Sequence, residues 1–498
     1  MTGFQIPDTG EWLDFGDTIG LEIRSPLFDF DTIPGVLSYP VAFTDTARNR
    51  RLLGFPAVRA RRRGAVPAVE ADLYIGGALW RRGTLKYKEF DSDKGEYSYQ
   101  FQADADALGE RIQDVLLSEL ALPTLPVQLV SETADYVLAP VRNVAFYDKD
   151  KNKDWGQVVN YYAPGAATVA TNPGPAQVHT VVPLLKVVPL LRRCFALYGY
   201  ELRGAWLEDP EIQQLVVYSL TSLDEAAGSG VASQFNLATV LPDVRLADLL
   251  LVLQQLFALG FVFNPVRRLV EVVALRDVVA QAGYAPRVPG LAYRDVANEG
   301  DGFTLAFTAD TDDELLKSNA WPEVVIGGGK EKIQPAADTL RMVREADPLT
   351  PGRQWLVPAT EQAGYSARPD FEQTDVRGGQ LRFLFYRGLQ LDSQGDRYPL
   401  ASSGTVNYAG ATIGRYALEW GGPAGLYAQW HKPWLDFRTN ARTEERTIAL
   451  TLGEFLALDP TRKDLVQGLL FFWERISLTV GGPQTLAPAT ITYHQVAR

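Results

Sequence analysis

The sequence is poor in the residues that build covalent crosslinks and metal sites. Among 498 residues it has one cysteine, Cys194, and three histidines, His179, His431 and His494. A single cysteine excludes an intramolecular disulfide and a cysteine zinc cluster. The histidines lie far apart and form neither an HxxxH nor an HExxH motif. The sequence therefore predicts no metal site, no cofactor and no histidine-based catalysis.

Long hydrophobic runs and an excess of positive charge are also missing. The longest apolar stretch without charge, residues 249–263, is interrupted by Gln254 and Gln255 and is too short to span a bilayer. The amino terminus has no basic or apolar region typical of a signal peptide. The net charge of −12 argues against general binding of nucleic acid. We expect a protein that is made and folded in the cytoplasm and has no membrane span.

The rest of the composition is typical of an ordered protein. It is 46% hydrophobic, 11% aromatic and 22% charged, which leaves little room for long disordered tails. By the usual relation between length and domain number, the chain is long enough for roughly three domains. Large hydrophobic cores can therefore form without covalent crosslinks.

Residues 37–44 have the pattern of a strand at the edge of a sheet. Apolar side chains alternate there with small or polar ones, which is the period of a strand with one buried face. Pro40 cannot donate a backbone hydrogen bond, so this strand should lie at an edge. Thr44 or Thr46 is placed to cap a short helical turn that ends at Gly54. An edge strand followed by such a turn indicates a surface for another subunit.

The turn belongs to a basic segment. Between Asp45 and Glu70 there is no acidic residue, and seven arginines stand close together: Arg48, Arg50, Arg51, Arg59, Arg61, Arg62 and Arg63. A site for DNA or an anionic surface is one interpretation. We favour an intersubunit face or a loop paired with the acidic remainder, because arginine is a common interface residue. The predicted interface residues are Tyr39, Arg48, Arg50, Arg51 and Arg59.

The remaining patterns divide the chain into three regions. Residues 20–102 indicate a small antiparallel sheet or barrel with a hairpin turn at 91–95, and a helix follows from Asp104 to Leu120. The middle contains two units, at about 184–204 and 246–275, in which a helix ends at a glycine and a strand follows. From residue 380 onward strands dominate, including one predicted at Tyr416–Trp420. The predicted regions are 1–130, 131–375 and 376–498.

An aromatic segment in the last region has two interpretations. Trp420, Trp430 and Trp434 lie near His431 and Asp436, and aromatic rings with carboxylates are typical of carbohydrate sites. Packing of the rings in a core is the more common arrangement, and we favour it. Trp430 and Trp434 are the candidate glycan contacts under the alternative. We assign no catalytic residue.

Several blocks of the sequence form a recognisable set. They are the helix-Gly-Phe-strand unit and the following runs: Pro34-Gly35, Tyr39-Pro40, Asn49-Arg50 and Leu52-Leu-Gly-Phe-Pro56; Leu73-Tyr-Ile-Gly-Gly with Gly83-Thr-Leu; and Gly425-Leu-Tyr with His431-Lys-Pro-Trp434, continuing to Leu478. Together these blocks resemble a class of phage tail structural proteins found in prophages of Bacteroidetes-type bacteria. The resemblance covers most of the chain and is weakest at 140–180 and 280–370.

At the level of architecture this class is similar to the baseplate hub proteins of phage tails and contractile injection systems. The resemblance implies an α+β, β-rich fold in which two small antiparallel, tube-like β-barrel modules, in regions 1–130 and 376–498, flank a mixed α/β middle. It also implies a homotrimer that presents six barrels and adapts a sixfold tail tube to a threefold tip. The implied partners are the tail tube or distal tail protein, the tape-measure protein, tip or fibre proteins, and DNA in transient passage through the lumen.

The sequence departs from some hub proteins in one respect. No lysozyme-like or peptidase motif is visible, so the resemblance implies a non-enzymatic virion protein at the distal end of the tail. Two alternatives stay open. One is a glycan-binding or glycan-cleaving tail protein that uses Trp430 and Trp434, and the other is a distal-tail adaptor ring protein.

Overall fold

The structure, a computed structural model, describes residues 2–15, 18–31, 38–57, 66–103, 112–147, 155–171, 180–225, 230–264, 266–297, 302–308, 310–317, 320–367, 380–481 and 486–496. The chain forms two compact units. The composite unit contains Met1–Gln113, Leu259–Gly300 and Pro433–Arg498, and the central unit contains Asp114–Ala258 and Asp301–Lys432. This division does not follow the three linear regions that the sequence predicts. The protein is β-rich, as predicted.

The first sheet of the composite unit is built from the amino-terminal segment. Its six strands are, in spatial order, Glu11–Trp12, Gly3–Ile6, Val69–Ile75, Ala78–Asp91, Glu96–Ala103 and Ser38–Thr44. All neighbouring pairs are antiparallel. Ser38–Thr44 is an outermost strand of this sheet, so the predicted edge position of Pro40 is confirmed. A ladder position that lacks an N–H is best tolerated there.

The second sheet of the composite unit curls back on itself. Its strands are, in spatial order, Tyr284–Arg287, Lys463–Val466, Leu469–Val480, Ala489–Gln495, Thr443–Ile448 and Pro289–Val296, and Ile19–Arg24 also pairs with Leu469–Val480. The first and last strands of this order are consecutive in the chain and separated by Val288 alone. Because the two steps from Arg287 to Pro289 span at most about 7 Å, the two end strands of the sheet come together at this corner.

One hydrophobic core serves both ends of the chain. Phe4, Phe43 and Phe101 of the first sheet belong to the same buried cluster as Ile476 and Tyr493 of the second. The sequence interpretation treats these ends as two modules separated by a middle region, whereas the structure places them in one unit. The physical reason is long-range pairing, such as Ile19 with Val480, which no local pattern reveals.

The central unit contains several smaller sheets. The four-stranded sheet has the order Val158–Val159, Val141–Asn143, Gln354–Thr360 and Arg341–Ala346. The six-stranded sheet has the order Ala337–Thr339, Leu381–Leu391, Leu215–Val217, Leu184–Lys186 and Tyr136–Val137, with Arg397–Ser402 paired to Leu381–Leu391. Smaller pairings join Gln234–Asn236 to Thr124–Pro126, and Val324–Gly327 to Gly302–Leu305 and Glu331–Ile333. A further strand is Glu201–Arg203.

Helices are short throughout the described residues. The α-helices are Ala47–Leu52, Val187–Leu197, Ala205–Glu208, Leu246–Phe257, Leu275–Ala280, Glu314–Lys317, Lys432–Asn440 and Leu452–Leu456; Tyr427–His431 is a π-helix, and Leu117–Glu119, Ile212–Gln214 and Leu237–Val240 are 3₁₀ turns. In these parts of the chain, no helix is long and apolar enough to cross a membrane. Residues 104–111 of the predicted helix from Asp104 to Leu120 lie outside the described residues, and the described end of it contains the 3₁₀ turn Leu117–Glu119.

Helix Leu246–Phe257 is buried on most sides, as its sequence predicts. The predicted glycine stop after it is wrong, because the helix ends at Ala258 in the left-handed conformation with φ 46°. Gly260 instead lies within the hairpin strand Leu259–Asn264, which pairs with Leu269–Ala274. A Cβ atom at Gly260 would lie 2.4 Å from a methyl group of Leu27, so close packing accounts for this glycine.

The predicted strand Tyr416–Trp420 is also wrong, since these residues form an irregular segment. The backbone amides of Arg415 and Tyr416 donate to the carboxylate of Glu211 at 2.9–3.1 Å. Two further amides of the segment donate to loop carbonyls rather than to a strand. The backbone groups needed for a ladder are therefore already used.

Candidate functional site

The candidate site is the arginine helix, defined as Ala47–Leu52 together with its cap Thr46. Thr46 has an extended backbone, and its side chain accepts a hydrogen bond from the Asn49 amide at 3.1 Å, so the predicted cap is confirmed. Arg50 and Arg51 lie in the last turn, where positive charge interacts favourably with the helix dipole. The chain then turns through Gly54, whose φ of 74° favours glycine.

Each arginine of this helix pairs with a carboxylate of its own unit. Arg48 Nη1 lies 3.0 Å from Asp14 Oδ1, and Arg51 makes a two-point contact with Glu11 at 2.5 and 3.0 Å. Arg50 makes a second two-point contact, with Asp45, at 2.6 Å for both bonds. Hydrogen bonds from the arginines hold the pKa values of Glu11 and Asp45 below their ordinary range.

The arginine side chains keep about half of their surface in water, with exposed fractions of 54% for Arg48, 51% for Arg50 and 55% for Arg51. Ion pairs in this environment contribute little to folding, because water screens the charges and ordering the side chains costs entropy. The same exposure leaves one side of each guanidinium accessible to a partner. The site can therefore contribute to an interface without giving up its internal pairs.

The buried residue of the helix is Asn49, which the sequence analysis did not predict as a site residue. Its side-chain amide donates to the carbonyl oxygens of Thr44 and Asp14, each at 2.9 Å, and its oxygen accepts from the Asp14 amide at 2.8 Å. Its burial could have been predicted from its spacing, because Asn49, Leu52 and Leu53 share one face of a short helix. Asn49 fixes the helix to the segment around Asp14.

These contacts connect the two ends of the first sheet. The arginine helix follows directly after the edge strand Ser38–Thr44, whereas Glu11 lies in the strand at the opposite end and Asp14 comes shortly after that strand. Side chains of one helix thus bridge the first and last strands of a six-stranded sheet. The geometry assigns the helix a closing role within the chain, in addition to any role towards a partner.

The other two predicted interface residues are Tyr39 and Arg59. Tyr39 lies in the edge strand, where its backbone is opposite Phe101. Arg59, like Arg61, Arg62 and Arg63, lies outside the described residues.

The burial of the candidate glycan contacts counts against a sugar site in this chain. Trp430 is 1% exposed and packs against Phe257 and Tyr416, with ring centroids 5.5 and 4.8 Å apart. Trp434 has no exposed surface and contacts Phe28 at 5.2 Å. Stacking on a sugar requires an open ring face, so the structure favours the packing interpretation.

A second set of arginines, in the central unit, was not predicted. Arg382 and Arg387 lie on the strand Leu381–Leu391, and Arg353 precedes the strand Gln354–Thr360. All three are at least nine-tenths buried. An arginine inside an otherwise apolar strand could have indicated these sites. Such a strand is buried, and a buried arginine requires buried acceptors nearby.

Arg353 illustrates how a buried arginine of this unit is hydrogen-bonded. It binds Asp347 at 3.0 Å, Asp392 at 2.6 Å and the carbonyl oxygen of Tyr162 at 2.7 Å, and it lies over the ring of Trp355. The side chains of Arg353 and both aspartates are 0% exposed. The guanidinium thus joins distant parts of the chain in a water-free environment.

Within the described ranges, no group of three or more His, Cys, Asp or Glu side chains has the arrangement of a metal site. The one cysteine, Cys194, is buried, and burial raises its pKa to about 12. A thiol with that pKa is a poor nucleophile at neutral pH, because thiolate is the reactive form.

Comparison with known proteins gives matches among solved structures only. No protein-family profile and no curated protein sequence matches this chain. The 43 kDa tail protein of prophage MuSo2 from Shewanella oneidensis aligns at 8% identity, covering 100% of this chain and 96% of that chain, with a TM-score of 0.36. The tail protein from Neisseria meningitidis MC58 aligns at 9% identity, covering 99% and 95%, also with a TM-score of 0.36. A TM-score of this size does not establish a common fold.

Proposed function

We propose that this chain is a non-enzymatic structural protein of a phage or phage-like tail, and that it forms a homotrimeric hub at the distal end of that tail. The observation that carries the proposal is the second sheet of the composite unit. Its outer strands, Tyr284–Arg287 and Pro289–Val296, are joined by Val288 alone, so the sheet curls towards a barrel. A first sheet whose end strands are bridged by the arginine helix shares its core.

In this proposal the two sheets of the composite unit are the two tube-like barrel modules. Three chains then present six modules around one axis, which matches a sixfold tail tube on one side and a threefold tip on the other. A closed ring of this kind needs heterologous contacts, in which two different surfaces of the same module meet. The edge strand Ser38–Thr44 is suited to one such surface, because it pairs with another strand of its sheet on one side only.

The proposed neighbours follow from the same position. The ring contacts the tail tube or distal tail protein on one face and tip or fibre proteins on the other, and its lumen passes the tape-measure protein and then DNA. A net charge of −12 is suited to transient passage of DNA rather than to tight binding, because an acidic surface repels phosphates.

The proposed subunit boundary contains Tyr39, Arg48, Arg50, Arg51 and Arg59. The half-exposed arginines support this assignment, since guanidinium groups that already hold one carboxylate can still donate to a second acceptor. Arginine is enriched at protein interfaces for this reason among others.

Assembly of the purified full chain tests the proposal. Native mass spectrometry across a concentration series should give a trimer, and electron microscopy of assembled particles should show a threefold ring at the tail end. A chain that stays monomeric at high concentration and forms no threefold ring contradicts the hub. A sixfold ring instead favours the distal-tail adaptor.

A further inference from the structure

The central unit contains a buried charge cluster in which acids outnumber bases. Arg382 Nη2 lies 2.7 Å from Asp310 Oδ2, its Nη1 lies 2.6 Å from Asp313 Oδ2, and its Nε lies 3.1 Å from Asp338 Oδ1. The side chain of Asp310 is 6% exposed, and those of the other three residues are 1% exposed or less. Three carboxylates thus surround one guanidinium away from water.

The three carboxylates are not equally well held. Asp313 accepts from the hydroxyl of Thr360 at 2.6 Å and from the backbone amides of Leu315 and Glu361 at 2.9 and 3.0 Å. Asp310 accepts from Gln362 and from the Asp312 amide. The 3.1 Å contact between Arg382 Nε and Asp338 Oδ1 is an ion pair without hydrogen-bond geometry, and neither oxygen of Asp338 has a hydrogen-bond partner among the described residues. Asp338 is therefore the carboxylate with the least support for a negative charge.

We infer that Asp338 is a proton-operated lock in the central unit: when neutral it lets the strand Ala337–Thr339 rest against Arg382, and when ionised it adds an unsupported buried negative charge that loosens this strand. Ala337–Thr339 pairs in parallel with Leu381–Leu391 at the outer position of the six-stranded sheet. Because it is paired on one side only, this strand has fewer backbone hydrogen bonds to break than an inner strand of the same length. The inference is independent of the proposed tail function.

The charges around Asp338 support this inference. The charged groups that act on Asp338 are Arg382, which favours its ionised form, and Asp310 and Asp313, which oppose it. Burial is the largest influence, and together these effects raise the pKa of Asp338 from an ordinary 3.8 to about 7. Burial also raises the pKa of Asp313. Arg382 and the hydrogen bonds outweigh burial there and hold the pKa of Asp313 below its ordinary value.

The sign of the pH dependence follows from this shift. The folded chain keeps the proton of Asp338 up to about pH 7, whereas the unfolded chain releases it near pH 4. Its stabilising contribution is therefore complete below pH 4 and is lost as the pH rises to 7. Three pKa units correspond to roughly a thousandfold change in the folding equilibrium constant. Carboxylates whose pKa is lowered in the folded chain, such as Asp313, make stability rise with pH instead. The contribution of Asp338 is therefore measured as the difference between wild type and Asp338→Asn.

Infrared difference spectroscopy of the full chain tests the protonation state directly. The wild-type protein at pH 6 should show the carbonyl band of a protonated carboxylic acid, and this band should disappear with a midpoint near pH 7. Asp338→Asn should lack the band, whereas Asp347→Asn, which removes a buried aspartate bound to Arg353, should retain it. No band in wild type at pH 6, or a band that persists in Asp338→Asn, overturns the inference.

Hydrogen exchange tests the lock itself. After correction for intrinsic rates, protection of the amides in Ala337–Thr339 should fall between pH 4 and pH 7 in wild type, where the contribution of Asp338 is lost, and should stay constant in Asp338→Asn. The same loss of protection in both proteins overturns the lock. If Asp338→Asn does not fold, the wild-type spectrum and its midpoint still decide whether Asp338 carries the proton.

Discussion

The arginine helix and the buried arginines of the central unit use the same ion pair in opposite surroundings. Arg50 and Asp45 are 2.6 Å apart with Arg50 half in water, and Arg353 and Asp392 are 2.6 Å apart with no exposed surface. Equal distances therefore say little about how much an ion pair contributes to the free energy of folding. In water the charges are screened and either partner can be lost at small cost, whereas a buried partner left alone keeps its full desolvation penalty.

The two regions also differ in what the arginines connect. The arginine helix joins the ends of one sheet, and its main anchor is the neutral Asn49 rather than the charged residues beside it. In the central unit the charges themselves are the anchors. Arg382 links the segment around Asp313 to the strand Leu381–Leu391, and Arg387 binds Glu211 and two backbone carbonyl oxygens. The comparison predicts which substitutions the fold tolerates.

The largest effect is expected for Arg382→Met. Removing the guanidinium leaves three buried carboxylates without their cation, and breaking a buried pair of this kind costs about 3–5 kcal/mol. We expect a strongly destabilised or unfolded central unit, measured by chemical denaturation with the tryptophan signal. Arg48→Met is the matched control on the surface. Equal losses in the two variants would contradict the distinction between the two regions.

A smaller loss is expected for Asn49→Ala. The substitution leaves the carbonyl oxygens of Thr44 and Asp14 and the amide of Asp14 without their partner, and an unsatisfied buried polar group costs about 1–3 kcal/mol. Denaturation midpoints of the full chain measure this loss, with Arg48→Ala from the same helix as the control. An Asn49→Ala protein as stable as its control would show that the helix is not the closing element of the first sheet.

Charge reversal separates the closing role of the helix from its proposed role at a subunit boundary. In the double variant Arg50→Glu and Arg51→Glu we expect a slight loss of folding stability, because the replaced pairs are exposed. Trimer formation should weaken by roughly tenfold or more, since placing like charges together at an interface is costly. Denaturation and native mass spectrometry measure the two quantities separately. Equal losses in folding and assembly would favour a purely internal ion pair.

The smallest effect is expected from salt. Raising the ionic strength shortens the distance over which exposed charges interact and leaves buried pairs nearly unchanged. The stability difference between wild type and Arg48→Met should therefore shrink in high salt, while the difference between wild type and Arg353→Met should persist. Thermal denaturation at two salt concentrations measures both. A salt-insensitive Arg48→Met difference would mean that packing of the side chain, not its charge, matters.

Much of the local structure could be predicted from the sequence. The edge strand with Pro40, the cap at Thr46 and the stop of helix Val187–Leu197 near Gly199 all occur as predicted, because each depends on residues close together in the chain. The buried helix Leu246–Phe257 was also predictable from its apolar period. The irregular segment at Tyr416 was not predictable, since the acceptor of its amide is Glu211, about two hundred positions away.

The candidate site was predictable only in part. Its arginines are visible as a cluster in the sequence, but their carboxylate partners Glu11 and Asp14 lie some forty and thirty-four positions away. The importance of Asn49 depends on backbone groups that only the fold brings to it. For the same reason the sequence left a glycan contact open for Trp430 and Trp434 beside the favoured packing interpretation, and their burial was decided by what packs around them.

By itself, the sequence determined the β-rich character, the edge strand and the capped arginine helix, because propensity, proline geometry and capping act over a few residues. The tertiary structure alone decided that the two ends of the chain share one core and that Val288 joins the end strands of the second sheet. It also decided that Asp338 lies beside Arg382 with no hydrogen bond to support its charge. These features depend on contacts between residues far apart in the chain, which local periodicity does not encode.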